Sequence, residues 1–131
     1  MERRILRLPE VESTNRYALD RFADLPHGAA VVADRQTRGR GRLGRSGQSS
    51  VAGNLYASLV VKVAPAAGQD LPRGFRNLTQ YTAVVLARIG ERLGADVSIK
   101  WPNDLLAGDR KLAGILAETA SEAGRVIGAA V

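Results

Sequence analysis

The chain has 131 residues, 45% hydrophobic and 24% charged, a globular composition sufficient for one domain with its own core. It has no cysteine and one histidine, His27, which excludes a Cys/His zinc site, a thiol nucleophile and a disulfide-stapled secreted fold; a reducing cytoplasm is the expected compartment. The net charge is +6, but five arginines (Arg35, Arg38, Arg40, Arg42, Arg45) fall in the acid-free segment 35–50, and without it the chain has 14 basic against 13 acidic residues.

Residues 4–8 read as a short strand. Ser13 or Thr14 can cap a helix over about 14–24, with Ala18, Leu19, Phe22 and Ala23 on its apolar face and Pro26 with Gly28 ending it. Residues 29–34 form a short apolar strand, followed by an Arg/Gly loop lasting to about Gly53. In 54–63, Leu55, Ala57, Leu59, Val61 and Val63 on one face alternate with Tyr56, Ser58, Val60 and Lys62 on the other, which predicts a strand. Leu78, Tyr81, Thr82, Val85, Ile89 and Leu93 recur at helical spacing, so 76–93 is an expected amphipathic helix stopped by Gly94. Strands are expected at 97–101 and 112–119, joined by a turn at Gly108 and Asp109, and at 125–131 after Gly124. The order predicts an α+β fold: a mixed, mostly antiparallel sheet with helices packed on one side. A last strand running to the last residue is expected to leave an unpaired edge, a template for a homodimer through the sheet edge. The N-terminus has no apolar run of signal-peptide type, and nothing approaches a membrane helix.

The Arg/Gly loop matches two phosphate motifs by letter. Gly39-x-Gly41-x-x-Gly44 satisfies the dinucleotide fingerprint, and Gly39-x4-Gly44-Arg45-Ser46 is a P-loop with Arg in place of Lys. Both motifs place glycines between a strand and a helix start, and here the residues after Gly44 are not a helical sequence. A nucleic-acid segment is the third reading, but no aromatic residue is interleaved among the arginines to stack bases. A solvated flexible loop is the fourth. Physically, glycines give such a loop mobility and its Arg forks suit a polyanion.

Three segments in order narrow these readings. GRGRLGR at 39–45, KWPNDLL at 100–106 and KLAGIL at 111–116, after EST-N at 12–15, resemble the catalytic domain of biotin protein ligases from about Val11 onward. The lipoate ligases, similar in fold, carry a different phosphate loop, so the resemblance favours biotin. It implies a fold like that of class II aminoacyl-tRNA synthetases, and a two-step reaction with ATP and Mg2+ as cofactors. Biotin's carboxylate attacks the α-phosphorus of ATP to give biotinyl-AMP, and a lysine of a biotin carboxyl carrier protein, such as that of acetyl-CoA carboxylase or a related carboxylase, then takes the biotinyl group. The difficulty is bringing a carboxylate and a triphosphate together, and an acid-free, five-Arg loop supplies countercharge for that.

The resemblance implies roles residue by residue. Ser13, Thr14, Asn15, Gln36, Gly39, Arg40, Lys111, Gly114 and Ile115 would bind biotin, whose ureido group needs both donors and acceptors. For Ser13 and Thr14 a plain helix cap is the competing structural role, and both can hold at once. Arg40, Arg42, Arg45, Lys100, Asn103 and Lys111 would bind ATP or the adenylate, with Asn103 also an indirect Mg2+ ligand. Lys111, Asp104 and Arg40 would be catalytic. Lys111 would place a compact ammonium between the carboxylate and the α-phosphate, and Asp104 would orient or deprotonate the acceptor amine. Trp101, the only Trp, is expected in the core, and a glycine bulge is the alternative account of Gly114.

The sequence departs from the family twice. The loop's usual Trp is replaced by Gly47, between Ser46 and Gln48, which removes an apolar cover over the adenylate. The family domain also runs on past a Gly-x-Gly-x-Asn strand, so residues 1–131 are expected to be a partial catalytic domain, incomplete at the C-terminus, with neither a DNA-binding module nor a C-terminal module. A biotin-binding but catalytically impaired fragment is therefore the alternative to an active ligase, and nucleic acid binding through the Arg/Gly loop is a further one.

Overall fold

The computed structural model describes residues 4–44, 53–63 and 73–131. In chain order the elements are β1 (Ile5–Leu8), α1 (Thr14–Asp20), β2 (Ala30–Ala33), β3 (Tyr56–Lys62), α2 (Arg73–Arg76), α3 (Leu78–Arg92), β4 (Val97–Lys100), β5 (Asp104–Ala107), β6 (Arg110–Gly114), β7 (Glu118–Glu122) and β8 (Arg125–Ala130). They fall into two compact units, Met1–Asp70 with Glu118–Val131, and Leu71–Ala117. No described helix is long and apolar enough to cross a membrane.

The first unit is built on a five-stranded sheet of order β1-β2-β3-β8-β7. Only β1 and β2 run parallel; the other pairs are antiparallel, so the mixed, mostly antiparallel sheet expected from the sequence is present. The expected free terminal edge is not. β8 lies inside the sheet, paired on one side with β3 and on the other with β7, which satisfies its backbone groups.

Register decides which side of this sheet is the core. Leu6 stands opposite Val31 and Val31 opposite Ser58, while Val60 faces Ala130 and Ala130 faces Glu118. Residues opposite one another share a face, so these side chains all point to the same side. Helix α1 lies on that side, and Ala18 and Phe22, with Leu25 and Ala29, join Val31, Val60, Ala120 and Ala130 in a buried cluster. Burying a side chain such as Val31 or Val60 stabilises by about 1.5–3 kcal/mol. Gly128 is needed here because a Cβ would collide with both the Phe22 ring and the Val61 carbonyl oxygen.

The alternation in β3 is as expected, and the face that turns inward carries Ser58 and Val60. Ser58 and Val60 are buried, while Leu55 and Leu59 are 78% and 46% exposed. Helix α1 sets this side, its polar N-terminal turn lying over Ser58. Helix α1 also ends at Asp20, short of the expected 24, and Ala23 is exposed.

In the second unit α3 lies against a three-stranded antiparallel sheet of order β4-β5-β6. The sequence places strands at 97–101 and 112–119 only. The structure adds β5, begins β6 at Arg110, and assigns Glu118 and Thr119 to β7 in the first unit. Helix α3 begins after Asn77 and has Gly94 in the left-handed conformation beyond its end. Its buried residues are Ala83 and Ala87, with Gly90 so close to Val97 that a Cβ would lie 2.6 Å from Cγ2. The stripe of Tyr81, Val85, Ile89 and Leu93 is exposed, so close backbone approach through small residues sets this packing. Trp101 is 76% exposed, which overturns its expected place in the core.

Candidate adenylation site

The sequence-selected residues form two groups, one in each unit. In the first unit they cluster where α1 begins. Ser13 has extended backbone and its Oγ accepts from Arg16 N–H at 3.4 Å, so it caps the helix as expected. Thr14 and Asn15 open the helix and point into the unit, buried with Ser13.

A continuous polar chain runs through this cluster. The Thr14 backbone N–H donates to Gln36 Oε1 at 2.8 Å, and the Thr14 hydroxyl lies 3.1 Å from the same oxygen. Ser58 Oγ lies 2.7 Å from Thr14 Oγ1 and 2.5 Å from Asn15 Oδ1. The Asn15 oxygen can only accept, so the single Ser58 proton belongs there, and the Thr14 proton is shared between Ser58 and Gln36. Asn15 Nδ2 donates to Glu118 Oε2 at 3.0 Å, and Arg40 Nη1 donates to Glu118 Oε1 at 2.7 Å. Six side chains from α1, the segment after β2, β3 and β7 are thus linked from Gln36 to Arg40. Ser58 and Glu118 were not singled out from the sequence.

The rest of the Arg/Gly segment is placed unevenly. Gly39 is buried, and Arg42 is exposed in a single 3₁₀ turn over Arg42–Gly44, where Leu43 has φ 58°. Arg45 and Gly47 lie outside the described residues. Arg35 forms an ion pair with Glu10, and Arg40 one with Glu118.

In the second unit the KWPND and KLAGIL segments become neighbours because β4, β5 and β6 pair in sequence. Lys100 stands opposite Asp104, and Asp104 opposite Gly114. A bulge then shifts the register: Leu105 pairs with Ala113 but Leu106 pairs with Lys111, so Leu112 is the extra residue. In an unbroken ladder Lys111 would oppose Ala107 and point to the other face. The bulge brings it to the Asp104 side, as bulges re-aim side chains.

Lys111 Nζ accordingly sits 3.0 Å from Asp104 Oδ1. That oxygen is buried and has no aligned hydrogen bond, so the ammonium is its ionic partner. Gly114 makes room: a Cβ there would lie 3.2 Å from Lys111 Nζ and 3.6 Å from Asp104 Oδ1. Asn103 brackets Ile115, its carbonyl accepting from Ile115 N–H at 2.9 Å and its Nδ2 donating to the Ile115 carbonyl at 3.4 Å. Lys100 is exposed at the end of β4. No group of three His, Asp or Glu side chains suited to a metal ion exists among the described residues.

Comparison with known proteins agrees with these motifs. The chain is 42% identical over 129 residues, 95% of its length, to the bifunctional ligase/repressor BirA of Escherichia coli, of which it spans 39%. It is 38% identical over 95 residues to the biotin–[acetyl-CoA-carboxylase] ligase of Mycobacterium tuberculosis, covering 71% of this chain and 35% of that protein. Among solved structures it resembles a Helicobacter pylori biotin acetyl coenzyme A carboxylase synthetase with bound biotinylated ATP. The TM-score there is 0.73 at 27% identity, over 99% of this chain and 61% of that one. It also resembles the Aquifex aeolicus biotin protein ligase in complex with biotin and ATP, with a TM-score of 0.70 at 31% identity over 98% of this chain and 51% of that one. A profile of the biotin/lipoate A/B protein ligase family matches residues 8–130, and the chain belongs to that family.

Proposed function

We propose that this chain carries the biotin- and ATP-binding residues of a biotin protein ligase, and that it activates biotin as biotinyl-AMP before transfer to a carrier-protein lysine. The observation that carries this reading is the polar chain from Gln36 to Arg40, whose Thr14, Asn15 and Ser58 are buried in the same unit as the apolar cluster. Its hydroxyls and amides offer both donors and acceptors, as the ureido group of biotin requires, and its last member is a cation.

In the second unit Lys111 supplies a point charge for the phosphate oxygens, with Lys100 and Asn103 on the polyphosphate. A biotin carboxylate oxygen forms a bond to the α-phosphorus, the α–β bridging bond breaks, and pyrophosphate leaves. In the second step the carrier amine attacks the acyl carbon and AMP departs, with Asp104 taking or orienting the amine proton. Mg2+ would arrive on the phosphates of ATP, the way this ion is ordinarily held, since the described residues offer no cage of their own. The natural acceptor for such a product is the biotin carboxyl carrier domain of a carboxylase.

Biotin-dependent exchange of labelled pyrophosphate into ATP tests the reading. Exchange with biotin and not with lipoate or octanoate is the expected result. Exchange with lipoate alone would replace the substrate, and absence of exchange despite biotin binding would reduce the chain to a binding module.

A further inference from the structure

Glu118 was not among the residues the motifs selected, yet it is the link that joins Asn15 to Arg40 in the polar chain. It stands on β7 opposite Ala130, and Ala130 opposite Val60, so its side chain points to the α1 side of the sheet. Its carboxylate is divided: Oε2 accepts from Asn15 Nδ2 at 3.0 Å and Oε1 from Arg40 Nη1 at 2.7 Å. The side chain is only 23% exposed, against 48% for Arg40, so the pair is partly withdrawn from solvent screening.

Each contact removes a freedom. An Asn amide can be turned over with little change of shape, exchanging donor for acceptor. A carboxylate can only accept, so Glu118 fixes the Asn15 nitrogen toward β7 and the oxygen toward Ser58. An Arg in a glycine-rich segment has many orientations to lose on binding an anion, and an ion pair that already holds it lowers that cost. The neighbouring Gly39 is buried, and the segment is tied further back by Arg38 N–H donating to the Glu12 carbonyl at 2.8 Å.

From this geometry we infer that Glu118 is a positioning residue for biotin: it sets the orientation of the Asn15 amide and anchors Arg40 before ligand arrives. The inference rests on the assignment of Asn15 and Arg40 to biotin binding made above. Glu118 need not touch the ligand, since it acts through the two residues it holds.

The test compares the intact chain with Glu118→Gln and Glu118→Ala by three readings: calorimetric titration with biotin, thermal unfolding, and hydrogen exchange of the 37–44 amides without ligand. Loss of hydrogen bonds to a charged group predicts a roughly tenfold or greater loss of biotin affinity for Glu118→Ala. Glu118→Gln, which keeps the shape and one acceptor, is expected to lie between. The Glu118→Gln unfolding midpoint stays near that of the wild type, whereas a merely structural role would lower midpoint and affinity together. Exchange in 37–44 accelerates in Glu118→Ala. Equal biotin affinity in all three proteins, or unaltered exchange in 37–44, would overturn the role of Glu118. Failure of the wild type to bind biotin would instead contradict the ligase reading, and the exchange result would still decide whether Glu118 anchors Arg40.

Discussion

Ser58 Oγ lies 2.5 Å from Asn15 Oδ1, and the two come from elements 43 residues apart in the chain. The serine is almost fully buried in β3, directly under the first turn of α1. Ser58→Ala leaves the buried Asn15 oxygen without this donor, which costs about 1–3 kcal/mol of stability. Chemical denaturation should show a lower midpoint with unchanged slope. Biotin affinity should fall as well, because Thr14 and Asn15 lose their shared partner.

Lys111→Met removes the ammonium from Asp104. A single charge aimed at a reacting oxyanion contributes a factor of roughly 10²–10³ in rate, and pyrophosphate exchange is expected to fall by that much. The stability change is about 1–2 kcal/mol, since Asp104 Oδ1 loses its counter-ion. Lys111→Arg keeps the charge but spreads it over a planar fork, so exchange is expected to recover only in part.

Gly114→Ala tests the same relationship from the backbone side. The new Cβ would meet the flexible end of Lys111 at 3.2 Å, so the lysine can move aside and the fold is expected to change by under about 0.5 kcal/mol. The displaced ammonium should slow exchange severalfold, while biotin-free unfolding curves superimpose on those of the wild type.

Gly128→Ala behaves oppositely. Its Cβ would collide with the Phe22 ring and with the Val61 carbonyl, a backbone group of a paired strand that cannot rotate away. Overpacking of this kind costs about 1–3 kcal/mol or more, read as a lowered unfolding midpoint.

How much of the fold was legible in the sequence depends on the kind of signal. Local signals held: the Ser13 cap, the Gly94 stop, the turns at Gly108 and Gly124, and the alternation of β3. Signals that needed a partner failed. Which face of β3 turns inward depends on α1, and which face of α3 packs depends on how closely β4 approaches Gly90. Position within KLAGIL puts Lys111 on the side away from Gly114, and only the Leu112 bulge reverses that.

Motifs named part of what the structure brings together. Thr14, Asn15, Gln36 and Arg40 come together in one unit, and Asp104 with Lys111 in the other. Ser58 and Glu118 belong to no motif. A polar residue among the apolar positions of a strand was the one available signal for Ser58, and alternation alone does not say which face turns inward. Glu118 reaches Asn15 across 103 residues, a proximity that only the β3-β8-β7 order creates.

The most direct measurement is pyrophosphate released when this chain is incubated with ATP and biotin under single-turnover conditions. Release is expected to require biotin, with biotinyl-AMP formed in equal amount and no release from Lys111→Met on the same timescale. Release independent of biotin, or biotin bound with ATP left intact, would contradict the proposed biotin activation.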